Sequence, residues 1–389
     1  MTEIFHPRKI LVIKFRHIGD VLLTTPVFGS LRRNFPDAYI AGLVNSGTGE
    51  VLTGNPDIDR VFVFDRSVKD LNAYRRYTRE ISFVRMIRNA GFDMTIDLTG
   101  GDRAALISFL SGARWRISID PGNSGFPGKR HLYTHLTPVT GGLHSVLQNL
   151  MVLQGAGINA GGSSVNIYPG RRDRDYIKDL LAASGIRDGE RIVHVHPTSR
   201  WFFKCWRDEY MAEIIDWMTN EGVRVILTSS PERKELQKAE KILSSSKAVS
   251  KGSSAVINLS GKTNIKELAA VSEVSDLFFG VDSAPMHIAA SVGTPVVALF
   301  GPSGAFNWGP WDNNYSPGFG VPGAEPKNPY AQRNGMQTFG VHTVVQRDWD
   351  CVPCGRDGCN GEKRSRCLED IVPEEIKEIL AKRLTEIEK

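Results

Sequence analysis

Residues 191–228 read RIVHVHPTSRWFFKCWRDEYMAEIIDWMTNEGVRVILT, and this stretch decides the fold. Ile192–Val195 is a short apolar run rich in β-branched residues, 207–220 has helical length and spacing, and Val223–Thr228 is a second strand-like run. Strand, helix and strand in that order make a parallel βαβ unit. The pattern continues: a helix is predicted from Pro231, which suits the first helical position, and strands recur near 256–259, 276–279 and 295–300. It also exists upstream. Lys9–Phe15 reads as a buried strand, and 19–35 as a helix with Val21, Leu22, Val27 and Leu31 inward. Further strands are predicted at 39–44, 60–64, 93–97 and 114–119, with 72–90 the clearest helix. The restart at Arg191, after a linker around 157–190, predicts two Rossmann-type α/β units in one chain.

Length and composition agree. The chain has 389 residues, about 2.6 times an average domain of roughly 150 residues. With 41% hydrophobic and 23% charged residues it can bury two cores, which excludes a mainly disordered chain. No apolar run approaches the 18 or so residues of a membrane span; the strongest is Thr294 to Phe300. The opening MTEIFHPRKILVIKF lacks a secretory pattern, since Glu3 and Lys14 interrupt it, so a cytoplasmic location is expected. Residues 301–340 differ from the rest. Six prolines, with seven glycines through Gly335, predict an irregular loop there, and the chain closes with a helix at 373–387.

Net charge is only +5, too little for a bulk nucleic-acid binder. Its distribution is uneven. Between 66 and 90, Arg66, Lys69, Arg75, Arg76, Arg79, Arg85 and Arg88 face only Asp70 and Glu80. The face they build is either a solvated helix surface or a docking surface for an acidic substrate or anionic membrane.

Three motifs follow predicted strands, where ligands of open parallel sheets bind. The first is KFRHIGD, 14–20, with Gly19 suited to a tight turn and Asp20 at the start of the next helix. Asp20 there is either a helix cap or a catalytic carboxylate. The second is HPTSR, 196–200, with Lys204 close behind; hydroxyls and a cation suit phosphate oxygens. Trp201, Phe202, Phe203 and Trp206 read as core or interface residues, and Cys205 as packing. The third is GVDSAPMH, 280–287, followed by GTP at 293–295 and FGP at 300–302. A helix beginning near Ser283 offers free N–H groups to a diphosphate. Asp282 suits sugar hydroxyls or the orientation of its neighbours. GxGxxG, Walker A, GxSxG and HExxH are all missing, which disfavours a dinucleotide oxidoreductase and other standard chemistries.

Together, Asp20 in its GD turn, HPTSRWFFKCW at 196–206 and GVDSAPMHIAASVGTPVVALFGPSG at 280–304 resemble glycosyltransferase family 9, the lipopolysaccharide heptosyltransferases. The wording of 196–206 is most similar to the branch that adds the third, branching heptose of the inner core. The resemblance runs from residue 9 to about 370. It implies a GT-B fold, two Rossmann-like domains facing across a cleft: 1–175 binding acceptor, 176–370 binding nucleotide sugar, and a terminal helix, 371–389, returning to the N-terminal domain. It implies inverting, metal-independent transfer from ADP-heptose to the lipopolysaccharide inner core, by a protein peripheral to the cytoplasmic face of the inner membrane. No cofactor and no nucleic-acid partner are implied.

The resemblance also assigns roles. Asp20 is the general base; Thr198, Ser199 and Lys204 contact the donor, and Lys204 assists departure of ADP. Glu232 holds the adenosine ribose, and Asp282, Ser283, Ala284 and His287 line the diphosphate and heptose site. The family often has Thr-Gly where this chain has Ser283-Ala284. A carboxylate, with a reference pKa of about 3.9, can take the acceptor hydroxyl's proton as the new bond forms. Arg75, Arg76 and Arg79, at helical spacing, are expected to meet the anionic acceptor.

Cys351, Cys354, Cys359 and Cys367 crowd into 17 residues, spaced as either a structural zinc site or free thiols and adventitious disulfides. A competing class, a nucleic-acid module built on the basic helix and these cysteines, leaves Asp20, Lys204 and Asp282 without a role.

Overall fold

In a computed structural model, residues 5–139, 141–187, 189–319 and 326–386 are described. They form two compact units. The first comprises Met1–Tyr168 with Tyr315–Asn328, and the second Pro169–Asn314 with Pro329–Lys389.

The first unit is built on a six-stranded, wholly parallel sheet. Its strands are β1 (Lys9–Lys14), β2 (Tyr39–Asn45), β3 (Arg60–Phe64), β4 (Met94–Asp97), β5 (Trp115–Ile119) and β6 (His135–Thr137), in spatial order β3-β2-β1-β4-β5-β6. Ile10, Leu11, Val12 and Ile13 of β1 are at most 1% exposed, because helices cover both faces of a parallel sheet. The register sets Ile13 opposite Leu43 on one side and Asp97 on the other.

The second unit repeats this plan. Its strands are β7 (Ile192–His196), β8 (Arg224–Leu227), β9 (Val256–Asn258), β10 (Leu277–Val281), β11 (Val296–Leu299), β12 (Gln337–Phe339) and β13 (His342–Val345). The order is β12-β13-β11-β10-β7-β8-β9, with β12 alone antiparallel at the edge. Without β12 it is the doubly wound order of the first sheet. The chain therefore has the two Rossmann-like sheets of the α/β, GT-B class.

Four local expectations change. The helix predicted over 19–35 is two helices, Ile18–Leu22 and Thr25–Asn34. Pro26 has no N–H for Leu22 and its ring would strike that carbonyl, so the helix stops; the hydroxyls of Thr24 and Thr25 bond Val21 O and Leu22 O instead. Gly19 is consequently a helical residue and not part of the tight turn expected there. The linker predicted around 157–190 holds a helix, Arg171–Ala183, that buries Ile177 and Leu181 in the second unit's core. The stretch 301–340 is mostly irregular yet contains a short helix, Ala305–Trp308, and β12. Trp311 and Tyr330 in it are among the largest fully buried side chains, and Tyr330 donates to Pro310 O. Within it, 315–328 clusters with the first unit, so the second is not one continuous 176–370 block.

The terminal helix, Pro373–Glu386, does not return to the N-terminal domain. Ile376, Leu380 and Leu384 recur every four residues and bury against the helix Asp208–Asn220 in the second unit's core. Lys377 pairs with Glu213 at 2.5 Å, and Trp206 Nε1 donates to Ile371 O at 3.0 Å just before the helix.

Candidate functional site

Each sheet has a switch point, β1/β4 in the first unit and β7/β10 in the second, where crossovers leave in opposite directions and open a crevice at the strand ends. All three motifs lie at these points.

In the first unit Asp20 is on the helix Ile18–Leu22. Its Oδ2 accepts from His17 N at 3.3 Å, so it closes a capping box from the third helical position and is not itself the N-cap. Lys14, at the end of β1, donates to Leu98 O at 2.9 Å and Asn149 Oδ1 at 3.1 Å; Asn149 in turn donates to Leu23 O at 3.0 Å. One cation thus ties the ends of β1 and β4 to the residue closing Asp20's helix. Burial draws the Lys14 ammonium down to about 8, with the charges of Asp20 and Asp97 opposing. Asp97, fully buried, accepts from Tyr133 Oη at 2.6 Å and from the N–H groups of Thr99 and Gly100. Burial pushes its carboxyl above the usual range against those donors. Sequence reasoning missed this Lys14–Asn149 and Asp97–Tyr133 framework, because Asn149 and Tyr133 are far along the chain and belong to no motif.

In the second unit Lys204 Nζ meets Asp282 Oδ2 at 2.6 Å, joining the loops after β7 and β10. Their side chains are 22% and 6% exposed, so the pair is largely desolvated. Lys204 ends a short 3₁₀ turn, Phe202–Lys204, fixed by its own N–H on Trp201 O. Phe203 and Trp206 are core residues, whereas Trp201 and Phe202 are exposed. Cys205 is buried, and burial lifts its thiol to about 11, fitting packing. Gly280 is required: a Cβ there would lie 2.6 Å from His196 O on the neighbouring strand. Ser283 is the N-cap of the helix Ala284–Ser291, but its Oγ, although buried, has no hydrogen-bond partner and makes no cap bond. His287, one turn further, is 6% exposed.

Thr198 is fully buried and donates to Glu235 Oε2 at 2.8 Å; Ser199 Oγ accepts from Trp201 N at 3.3 Å. A buried polar chain continues behind them. His196 Nδ1 and His194 Nε2 share Thr228 Oγ1 at 2.8 and 2.7 Å, and His194 Nδ1 meets Ser272 Oγ at 2.8 Å. Burial pushes His196 down to about 3 and His194 well below its usual range. Glu232 is exposed at the N-cap of the helix Arg233–Ser245, which begins two residues after Pro231. Glu235, one turn inward and 6% exposed, is the acid the sequence reading overlooked; its i+3 spacing from Glu232 was the available signal.

The basic segment is a 3₁₀ turn, Arg66–Asp70, followed by the helix Ala73–Asn89, which is capped by Asn72 Oδ1 accepting from Arg75 N. Only Ile87 is buried in the helix. Arg75, Arg76 and Arg79 are all exposed; Arg76 lies 3.4 Å from Glu80, and Arg79 3.8 Å from Asp65.

The four C-terminal cysteines are free thiols, and among the described residues no group of three or more His, Cys, Asp or Glu is gathered to hold a metal ion. Of the two readings the spacing left open, a structural zinc site has no support among the described residues. Cys351 and Cys354 lie exposed, while Cys367 turns into the core beside Leu368 on the short helix Arg366–Glu369. Burial first, then the neighbouring thiols, lift the Cys367 thiol to about 11.

Residues 81–328 match the profile of Glycosyltransferase family 9 (heptosyltransferase). The chain belongs to glycosyltransferase family 9. Two Escherichia coli proteins named lipopolysaccharide heptosyltransferase 3 support the assignment. One, from strain K12, is 33% identical over 77% of this chain and 84% of its own length. The other is 34% identical over 77% and 85%. Among solved structures, the family 9 glycosyltransferase of Veillonella parvula superposes with a TM-score of 0.76 at 21% identity, covering 97% of both chains. E. coli ADP-heptose lipopolysaccharide heptosyltransferase II gives 0.73 at 17% identity, covering 97% of this chain and 99% of that one. As a member of family 9 the chain is a glycosyltransferase, with the fold of these enzymes.

Proposed function

We propose that this family 9 glycosyltransferase moves heptose from ADP-heptose to the inner core of lipopolysaccharide, adding the third, branching heptose. The observation that carries the reading is the Lys204–Asp282 pair beside the Ser283 N-cap at the β7/β10 switch point, in a chain 33–34% identical to heptosyltransferases 3.

The second unit supplies what a departing ADP needs. Lys204 brings a cation and the N-terminus of Ala284–Ser291 brings N–H donors; the unpartnered Ser283 hydroxyl adds one more. Asp282 holds Lys204 in place until phosphate competes for it. Ala284 opens that helix and His287 lies one turn into it, and Glu232, exposed after β8, is free to reach ribose hydroxyls. Thr198 acts by bracing Glu235 and Ser199 by bracing the Trp201 turn. The first unit supplies the base. Asp20 takes the proton as the acceptor oxygen attacks the anomeric carbon, positive charge grows on the sugar ring, and ADP leaves from the opposite side with inversion.

The acceptor is lipid-anchored and anionic. Arg75, Arg76 and Arg79 on the exposed helix Ala73–Asn89 draw it in, and bring the protein to the cytoplasmic face of the inner membrane. Among the described residues no helix is long and apolar enough to cross a membrane, so this contact is peripheral in the proposal.

Incubating the protein with ADP-heptose and truncated core acceptors, then reading the product by mass and NMR, tests the reading. One added heptose as a branch on the inner core is expected. ADP release without a heptosylated core, or heptose at another position, would overturn it.

A further inference from the structure

Lys14 ends β1, and its ammonium is held from two sides, by Leu98 O at 2.9 Å and Asn149 Oδ1 at 3.1 Å. We propose that Lys14 is a positioning residue of the transfer, acting through Asp20: its fixed charge keeps the Asp20 carboxylate charged and in place while acceptor sugar displaces water from the crevice. The inference rests on the reading of Asp20 as the base, and adds to it the group that supports that base.

Both acceptors of the ammonium are themselves anchored. Leu98 N donates to Ile13 O at 3.0 Å, which locks the Leu98 peptide to β1. Asn149, 5% exposed on the helix Ser145–Gly155, donates to O of Leu23 at 3.0 Å, and Leu23 closes the helix that carries Asp20. Thr99 braces the other side: its hydroxyl accepts from Phe15 N at 2.8 Å, and its N–H bonds Asp97 Oδ1 at 2.7 Å. The ammonium and the helix of Asp20 are thus fixed in one frame.

Tying alone does not call for a charge. Leu98 O and Asn149 Oδ1 are neutral acceptors, and a glutamine amide has two N–H donors for them without the cost of desolvating an ion. The charged groups around Lys14 show what its charge serves. Asp20 and Asp97 favour the ammonium, Arg16 opposes it, and burial, the largest influence, draws it to about 8. Asp97 already accepts from Tyr133 Oη and from the N–H groups of Thr99 and Gly100. Among the described residues Asp20 has one donor, His17 N at 3.3 Å. Asp20 is therefore the carboxylate that depends on the cation. When an acceptor hydroxyl enters and water leaves, desolvation favours the protonated carboxyl, which cannot act as a base; a neighbouring cation opposes this.

Two measurements test the inference. In protein labelled with carbon-13 at lysine Cε, the Lys14 resonance, identified by its absence from Lys14→Arg, should titrate near 8. In Asp20→Asn, which removes a charge favouring the ammonium, it should titrate at lower pH. The pH dependence of kcat, at saturating ADP-heptose and core acceptor, reads the role. As pH rises past about 8, wild type should lose roughly tenfold, the effect of about one pKa unit of support from an opposite charge. Lys14→Arg stays charged and should lack that fall. Lys14→Gln should also lack it, but lie roughly tenfold below wild type at neutral pH with both KM values unchanged. A lysine that merely ties strand ends predicts parallel profiles for wild type and Lys14→Gln, and a resonance indifferent to Asp20→Asn; either result overturns the inference. If no acceptor is heptosylated by any of these proteins, the functional reading falls and the resonance alone decides. A midpoint lowered in Asp20→Asn then keeps the pairing, and an unmoved one overturns it.

Discussion

At the β1/β4 switch point the chain places two carboxylates, Asp20 and Asp97, around a buried lysine. At the β7/β10 switch point of the second sheet it places one lysine on one aspartate, an N-cap serine, and buried neutral histidines behind them. The strand order is shared, so the backbone geometry that creates each crevice is shared. What differs is the polar group at the end of each central strand. In the proposal this divides the work: the first unit moves a proton and meets the acceptor, and the second holds the charge of the departing diphosphate. A repeated topology supplies two crevices; side chains decide which half of a transfer each performs.

The largest expected effect breaks the first half alone. Asp20→Asn keeps an amide oxygen that can accept from His17 N, so the capping box and the melting temperature should hold. The side chain is no longer basic, so kcat should fall at least about a hundredfold, the lower end of general-base contributions, with ADP-heptose affinity unchanged. A variant keeping more than about a tenth of wild-type turnover would return Asp20 to a purely structural role.

Next comes the second half. Lys204→Ala should weaken ADP-heptose binding by about 1.5–3 kcal/mol, the usual worth of a hydrogen bond to a charged group. It also strands the Asp282 carboxylate, 6% exposed, without its 2.6 Å partner, so the melting temperature should drop. Adding Asp282→Asn should restore the melting temperature but not the affinity. Calorimetry and thermal melts separate the two outcomes, and an unchanged dissociation constant for Lys204→Ala would remove it from the donor site.

Acid should expose the histidines behind that site. His196 is held at about 3 in the fold by burial, against an ordinary 6.5. Below pH 6.5 the unfolded chain binds a proton that the folded chain refuses, so stability falls as pH drops from about 6.5 toward 3. The slope is about 1.4 kcal/mol per pH unit for each such histidine. In urea unfolding between pH 6.5 and 5, His196→Gln should show a slope shallower by about that amount. Equal slopes would mean that His196 protonates as readily folded as unfolded.

The smallest effect concerns the exposed helix of the first unit. Replacing Arg75, Arg76 and Arg79 with Ala should raise the acceptor's KM a few-fold at low salt and less at high salt, because exposed charges are screened over about 10 Å at 0.1 M. Donor affinity should not change. Normal transfer to natural acceptor at low salt would put the docking surface elsewhere.

The sequence by itself determined the repeated α/β plan, since buried parallel strands must be short apolar runs between amphipathic helices, and that periodicity is local. It also placed Asp20, Lys204, Asp282 and Ser283 after strands, where a parallel sheet leaves its crevices. Only the tertiary structure decided what each of these groups touches. The Lys204–Asp282 pair joins residues 78 positions apart, and Lys14 reaches Asn149 across 135. No pattern along the chain encodes such a contact, because it exists only once two loops fold onto the ends of adjacent strands. The same reason explains the terminal helix: its apolar stripe was legible, but the core that covers it was chosen by the surface that 208–220 left open.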